Sequence, residues 1–409
     1  MKNSFALIPE YIKSFSCIGP DCEDSCCKTW SIYVEKDIYQ LYKSLPDKSF
    51  SEKIISSMDI IESGGNENIY ASIKLSDSGS CPMLTETDLC SIHAKIGEDY
   101  LPAVCSTFPR IFNEVDGVQE LSTDLACPEA VRKALFNEQG IQFYEKEAVE
   151  NRMTFQSIKP SAAHENQFEA YFWPLRFFII QTLQNRAFSF ENRLIMLGLF
   201  FENLNFIVEQ NEFHKIPILI ESCKIEFGKH EQIEDQLKGI QGNWIVKLDL
   251  FNEFVKEKST SGIALKAYLE CLNQVMEGVG FTANATPDKV MERLKTASDE
   301  IVVPFMSTYD YIFENLAVHN VYSKLFPLSG KHKLMEEYFL LVFQYSIINI
   351  QLAGLGAYHG KLTEELCVKL IYSYIRNNDR NKNFIQQMLK LLKDKGLNNV
   401  SALAPLIKR

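Results

Sequence analysis

The sequence predicts a mainly α-helical protein, in which a small, irregular, cysteine-rich metal domain with few short strands is followed by a large all-helical domain. Three observations carry this. Eight of the eleven cysteines fall between Cys17 and Cys127. Beyond residue 166 the apolar residues recur at helical spacing, with no strand pattern of comparable strength. The chain has 409 residues, of which 46% are hydrophobic, enough for about two or three domains with a buried core. The predicted boundaries are a cysteine-rich metal domain over 1–144, a linker over 145–166 and an all-helical domain over 167–409. The linker is polar, contains Pro160 and has no sustained period.

In chain order, the first cysteine cluster is Cys17-x4-Cys22-x3-Cys26-Cys27. Directly after it, Ser31–Leu45 places Ile32, Ile38, Leu41, Tyr42 and Leu45 near one face of a helix. Ile69, Ala71, Ile73 and Leu75 alternate within a stretch rich in Gly, Asn, Ser and Asp, the pattern of a short strand or hairpin arm. Arg110–Leu121 reads as a second strand pair turning at Asp116-Gly117. Past the linker, helical periodicity predicts helices at Gln167–Asn185, Asn192–Gln210, Gly262–Glu277, Thr286–Glu314, Leu334–Leu352, Thr363–Arg376 and Asn383–Lys395.

The formal net charge of −11 argues against a nucleic-acid partner, because phosphate binding usually needs a basic face. The first residues, MKNSFALIPEYIKSF, lack the positive start, apolar run and cleavage site of a secretory signal, so a cytoplasmic location is expected. Tyr338–Gly360 is uncharged and long enough to cross a bilayer. Gln344, Asn349, Gln351 and His359 interrupt it and flanking Arg or Lys are sparse, so it is read as a buried helix and no membrane span is expected. Nothing in the pattern specifies an oligomeric state.

The candidate metal ligands are Cys17, Cys22, Cys26, Cys27, Cys81, Cys90, Cys105 and Cys127, or a subset of them. Short loops bearing several thiols let the chain curl around a small centre, and thiolates suit soft metals and iron–sulfur cores. Cys26 and Cys27 are adjacent, and neighbouring side chains usually project in different directions. Eight thiols therefore allow two four-cysteine sites, or one cluster with four thiols left over, and the single cluster is favoured. The paired C-x2-C ribbon of structural zinc sites is missing, which tilts the choice from zinc toward iron–sulfur. A disulfide framework is set aside on the expected compartment. His93, three residues after Cys90, is left out as an ordinary polar residue. Cys223, Cys271 and Cys367 are read as small buried apolar residues.

The order Cys17, Cys22, Cys26-Cys27-x2-Trp30, then Cys81-Pro82-Met83-Leu84, Asp88-Leu89-Cys90-Ser91-Ile92 and Cys105-Ser106-Thr107-Phe108-Pro109-Arg110, resembles the flagellin lysine N-methylase family. It also resembles a wider group of cysteine-rich zinc- or iron-chelating domains. Phe313-Glu314-Asn315 through Lys324-Leu325-Phe326-Pro327 is similar to the methylase family's helical region. The resemblance implies a lysine N-methyltransferase that moves methyl groups from S-adenosylmethionine to ε-amino groups of flagellin lysines and carries a [4Fe-4S] cluster, with zinc the alternative. Flagellin would then be the protein partner.

A lysine must lose a proton before its nitrogen attacks a methyl carbon, so such a site needs a desolvating pocket or a base, and aromatic faces for the sulfonium. Tyr311, Asn315, His319 and Tyr322, spaced four, four and three apart, share one helical face and are the candidate catalytic residues. Their competing reading, which is preferred, is a polar-aromatic stripe bonded within the core or at the domain interface. No strand leads through G-x-G-x-x-G into a helix, and Gly354-x-Gly356-x3-Gly360 reads as close helix packing or a helix end. A radical C-x3-C-x2-C loop is broken because position 29 is Thr29. The rival functions are a protein-binding module stapled by a structural metal and a redox or metal sensor.

Overall fold

The computed structural model describes residues 5–28, 30–77, 79–260, 265–282 and 285–409, with side chains described for all of these except 259 and 260. Thr29 and the predicted helix start at Gly262 lie outside the described residues. The strands are β1 (Phe5–Pro9), β2 (Tyr33–Val34), β3 (Met58–Ile60), β4 (Ala71–Ile73), β5 (Arg110–Val115), β6 (Val118–Thr123), β7 (Phe143–Glu147) and β8 (Gln156–Ile158). Short helices α1 (Lys36–Lys43), α2 (Lys48–Ser56), α3 (Ser91–Ile96), α4 (Ala103–Thr107) and α5 (Pro128–Leu135) lie among them. The rest of the chain is helical: α6 (Phe172–Leu183), α7 (Phe190–Glu209), α8 (Ile216–Phe227), α9 (His230–Lys238), α10 (Trp244–Thr260), α11 (Lys266–Gly278) and α12 (Pro287–Ala297). It continues through α13 (Val303–Thr308), α14 (Tyr311–Ser323), α15 (Leu334–His359), α16 (Glu364–Asn378), α17 (Lys382–Asp394) and α18 (Val400–Ile407).

Two sheets build the first third. The antiparallel order β2-β4-β3 forms a small sheet whose buried residues, with Tyr42, Phe50, Ile54 and Met83, make a separate core. The larger sheet runs β7-β1-β6-β5-β8, with β1 parallel to β6 and antiparallel to β7. The β5–β6 hairpin turns where predicted, with Asp116 and Gly117 both at positive φ (54° and 80°), the turn geometry that matches strand twist.

The structure differs from the sequence reading in three places. Ser31–Leu45 is not one helix: Ile32 and Val34 are buried around exposed Tyr33 in β2, and α1 begins only after the extended Glu35. The 145–166 stretch carries the end of β7 and all of β8, and β8 pairs in parallel with β5 through Asn113 and Gln156. Thr286–Glu314 is broken into α12, a π-turn at Ser298–Val302, α13 and the start of α14. Pro304 explains the π-turn, since its missing N–H and its ring forbid the ordinary bond to the carbonyl four residues back.

The helical domain buries one continuous core, and α5 and Tyr11 from the first third are part of it. The long apolar helix α15 is the centre of that core: 83% of its most hydrophobic window is buried by the protein. Its glycines have the packing roles expected of them. A Cβ on Gly354 would lie 2.5 Å from Val275 of α11, and one on Gly356 would lie 3.0 Å from Ile301. Gly360 ends the helix at φ 70°.

Candidate active site and thiol centre

The predicted stripe on α14 faces the first third of the chain. Asn315 donates to the carbonyls of Leu135 and Asn137 at 3.0 and 2.9 Å. Tyr322 donates its hydroxyl to the Leu7 carbonyl of β1. Tyr311 is buried beside the same interface, its hydroxyl pKa raised by burial and then by the charge of Glu138. His319 Nε2 lies 2.8 Å from the Thr123 carbonyl at the end of β6, so that nitrogen carries the proton and Nδ1 accepts from the Ser323 hydroxyl at 3.4 Å. Of the four, His319 alone lines a cleft.

Burial holds His319 neutral, lowering its pKa from 6.5 to about 4 against the pull of the Thr123 carbonyl. The unfolded chain takes up a proton near the ordinary value, whereas the folded chain resists until about 4. Stability is therefore complete above about pH 6.5 and falls as the pH drops toward 4, by ~3 kcal/mol at ~1.36 kcal/mol per pH unit. Urea midpoints measured across that window for the wild type and for His319→Gln should show a shallower slope in the variant. Identical slopes would contradict the assignment.

All eight thiols are free, and they fall into two neighbourhoods. Cys27, Cys81, Cys90 and Cys105 pack into the small core. There the Cys81 amide donates to the Cys27 carbonyl at 3.0 Å, and Leu84 pairs with Cys90 in an isolated bridge. Cys17, Cys22 and Cys26 sit on the first loop, and Cys127 is the N-cap residue of α5, packed against the helical core. Arg376 of α16 draws these two places together, bonding Asp24 and the Ser25 carbonyl on one side and the Ala126 carbonyl on the other.

The electrostatics follow the same division in the main. Burial first raises the pKa values of Cys22 (then Glu23, Cys17 and Cys26), Cys127 (then Cys22, to about 12), Cys81 (then Cys90) and Cys105 (then Cys90, Cys81 and, across the division, Cys26). Cys26 and Cys27 touch at the boundary. The Cys27 thiol donates to Cys26 and, helped by Arg376, holds it down to about 7.

Four soft donors per neighbourhood suit zinc or an iron–sulfur core by chemistry. Among the described residues, however, no three His, Cys, Asp or Glu side chains converge far enough to hold a metal ion, so ligation requires the thiols to draw inward. Cys271 and Cys367 are buried and Cys223 is half-buried, all packed in or against the helical core away from both sets.

Between the cysteine-rich third and the helical domain lies a cleft of about 480 Å³, within the ~300–1,000 Å³ of small-molecule sites. Trp30 and Phe108, with ring centroids 5.5 Å apart, form one wall, and Arg380 lies over both rings at 5.1 and 5.6 Å. The Trp30 indole donates at 2.7 Å to the carbonyl of Cys26, so the wall is fastened to the thiol loop. Asp124, paired with Arg380, and Asp379, paired with Lys324 at 3.1 Å, supply carboxylates. Asn113 also lines the cleft. Its amide nitrogen donates to the Ser323 carbonyl at 2.9 Å, and its Oδ1 is buried without a partner.

The sequence reading singled out His319 but not Asn113, Asp124, Lys324, Lys331, Asp379 or Arg380 as site residues. Trp30, Phe108 and Lys324 did stand inside the quoted motifs, flanking cysteines or the Phe326-Pro327 pair. The others come from segments with no local signal.

Residues 176–406, more than half of the chain, match the FliB lysine N-methylase C-terminal domain. Over 405 aligned residues the chain is 24% identical to proteins named Lysine-N-methylase from Salmonella choleraesuis (strain SC-B67) and Salmonella typhimurium (strain LT2). Those alignments cover 94% of this chain and 95% of each relative. It is also 32% identical over 149 residues to the flagellar biosynthetic protein FliU of Salmonella muenchen, covering 36% of this chain and 87% of that protein. No solved structure matches.

Proposed function

The chain belongs to the FliB lysine N-methylase family and is a protein-lysine N-methyltransferase, and from that premise we propose that it methylates flagellin lysines, with S-adenosylmethionine as donor, in the interdomain cleft. The observation that carries the placement is the cleft itself. It joins the cysteine motifs and the family-matched helical region around one set of aromatic, acidic and acceptor groups. The flagellar name of one relative supports flagellin as the substrate, and the activity is assigned to the cytoplasm.

Each wall has a task in this reading. A lysine enters as an ammonium of pKa ~10.4 and must become an amine. The lining sets Arg110, Lys324, Lys331 and Arg380 against Asp124 and Asp379, and this net positive charge and the partly apolar walls disfavour a further positive charge, which lowers that pKa and sends the proton to solvent through the cleft mouth. His319, held neutral by burial, adds no charge to that lining, and the nitrogen lone pair of the amine is then free for the methyl carbon. Trp30 and Phe108, with Arg380 over both rings, close one side of the cleft.

The small-core set, Cys27, Cys81, Cys90 and Cys105, would hold a [4Fe-4S] cluster, with zinc the alternative. Such a cluster supplies electron transfer or a structural tie, and no step of methyl transfer is routed through it.

The activity is tested with protein purified anaerobically, recombinant flagellin and donor carrying an isotopically labelled methyl group. Mass spectrometry of flagellin peptides should show labelled methyl groups on lysines. No mass gain from metal-replete protein would overturn the reading, and metal analysis of the same sample separates iron from zinc.

A further inference from the structure

The cleft continues past α14. Asn320, Lys324, Lys331 and Asp379 line both the cleft and a second hollow of about 130 Å³ between α14, α15, α16 and α17. That hollow is walled largely by apolar side chains, among them Phe326, Phe343, Tyr374, Phe384 and Met388. Its polar groups are mostly committed. Asp379 accepts from Lys324 at 3.1 Å and from Gln344 at 3.3 Å, and Asn378 donates to the Tyr374 carbonyl at 2.8 Å.

Lys331 is the exception: among the described residues its ammonium has no hydrogen-bond or ion-pair partner, although it stands at the junction of the two spaces. Loss of solvent and the nearby charges of Lys324 and Lys382 push its pKa down, and Glu337 opposes this only in part. An apolar slot ending at a cation without a hydrogen-bond partner, with Glu337 beside it, fits a ligand with a flat apolar body and a carboxylate at its end.

We propose that the hollow takes the adenine of the methyl donor, that Lys331 binds the carboxylate of its aminoacyl end, and that the methyl-bearing sulfur lies between them, facing the cleft. The proposal rests on S-adenosylmethionine being the donor. The hollow alone is too small for the whole molecule, and the four shared residues are where the ligand must pass from one space to the other.

Calorimetric titration of the metal-replete protein with S-adenosylhomocysteine, and with 5′-methylthioadenosine, which lacks the aminoacyl end, tests this. Wild type should bind the first at least tenfold more tightly. Lys331→Met, at an exposed position, should weaken S-adenosylhomocysteine about tenfold and leave methylthioadenosine unchanged. Met388→Trp, which fills the hollow, should weaken both. If wild type binds neither compound, the donor reading itself fails. If S-adenosylhomocysteine binds but neither substitution changes its affinity, the donor reading stands and this placement is overturned.

Discussion

Replacing Arg176 with methionine is expected to destabilise the chain by about 3–5 kcal/mol, because it leaves a carboxylate alone in the interior. The guanidinium of Arg176 on α6 meets both oxygens of Glu120 on β6 at 2.8 and 2.9 Å and donates to the Tyr322 carbonyl of α14 at 3.1 Å. The pair is 2% and 1% exposed, so solvent screens it little. Phe172, Trp173 and Tyr322 surround the cation at 5.2, 5.7 and 4.7 Å, and their faces favour it further. Burial raises the Glu120 carboxyl above its ordinary value even with Arg176 beside it, so without the arginine its charge has no compensation. The double variant Glu120→Leu with Arg176→Met removes both charges and should recover most of the loss. Denaturant unfolding of the single and double variants decides the matter. A double variant as unstable as the single would show that the arginine acts by packing and not by charge.

Arg376→Met should open the junction of the thiol loop. Arg376 gives two bonds to the Ala126 carbonyl, at 3.0 and 2.7 Å, and one each to Asp24 and the Ser25 carbonyl, at 3.1 and 3.0 Å, from a side chain 3% exposed. Its loss leaves a largely buried carboxylate and two carbonyls without their donor, a cost of about 2–4 kcal/mol. The loss falls on one local unit, because Cys27 and its three companions are held by the small core and not by Arg376. A glutamate-specific protease should therefore cut at Glu23 at least tenfold faster than in the wild type, since cleavage follows the population of the open form. Unchanged cleavage at Glu23 would mean that the Arg132–Glu23 ion pair alone pins the loop.

These two arginines also mark where sequence reasoning stops. Helical periodicity was readable because each helix reports itself within a dozen residues, and the cysteines because thiols clustered on short loops are rare. The Asp116-Gly117 hairpin was readable for the same reason, since turn and strands adjoin. The five-stranded sheet was not. β1 pairs with β6 more than a hundred residues away, and β8 has three residues, too few to show alternation. The cleft was hidden further still. Trp30, Phe108, Asn113, His319 and Arg380 belong to separate segments that only the packing of α14 and α16 against the first third brings together. On α14 the spacing identified a face that the structure places against that third, but spacing alone does not separate His319, which borders open space, from Asn315, whose amide nitrogen is committed to two backbone carbonyls.

The junction that Arg376 makes bears on how the polypeptide is made. The thiol loop and Cys127 leave the ribosome early, whereas the arginine that fastens them is 352 residues beyond Asp24 and 250 beyond Ala126. At roughly 5–20 residues per second, that interval is on the order of ten to seventy seconds. During it Asp24 and the carbonyls of Ser25 and Ala126 are without their donor, and once α16 docks the loop is fastened with Cys17 and Cys26 still exposed. The loop is therefore fastened only after α16 has been made.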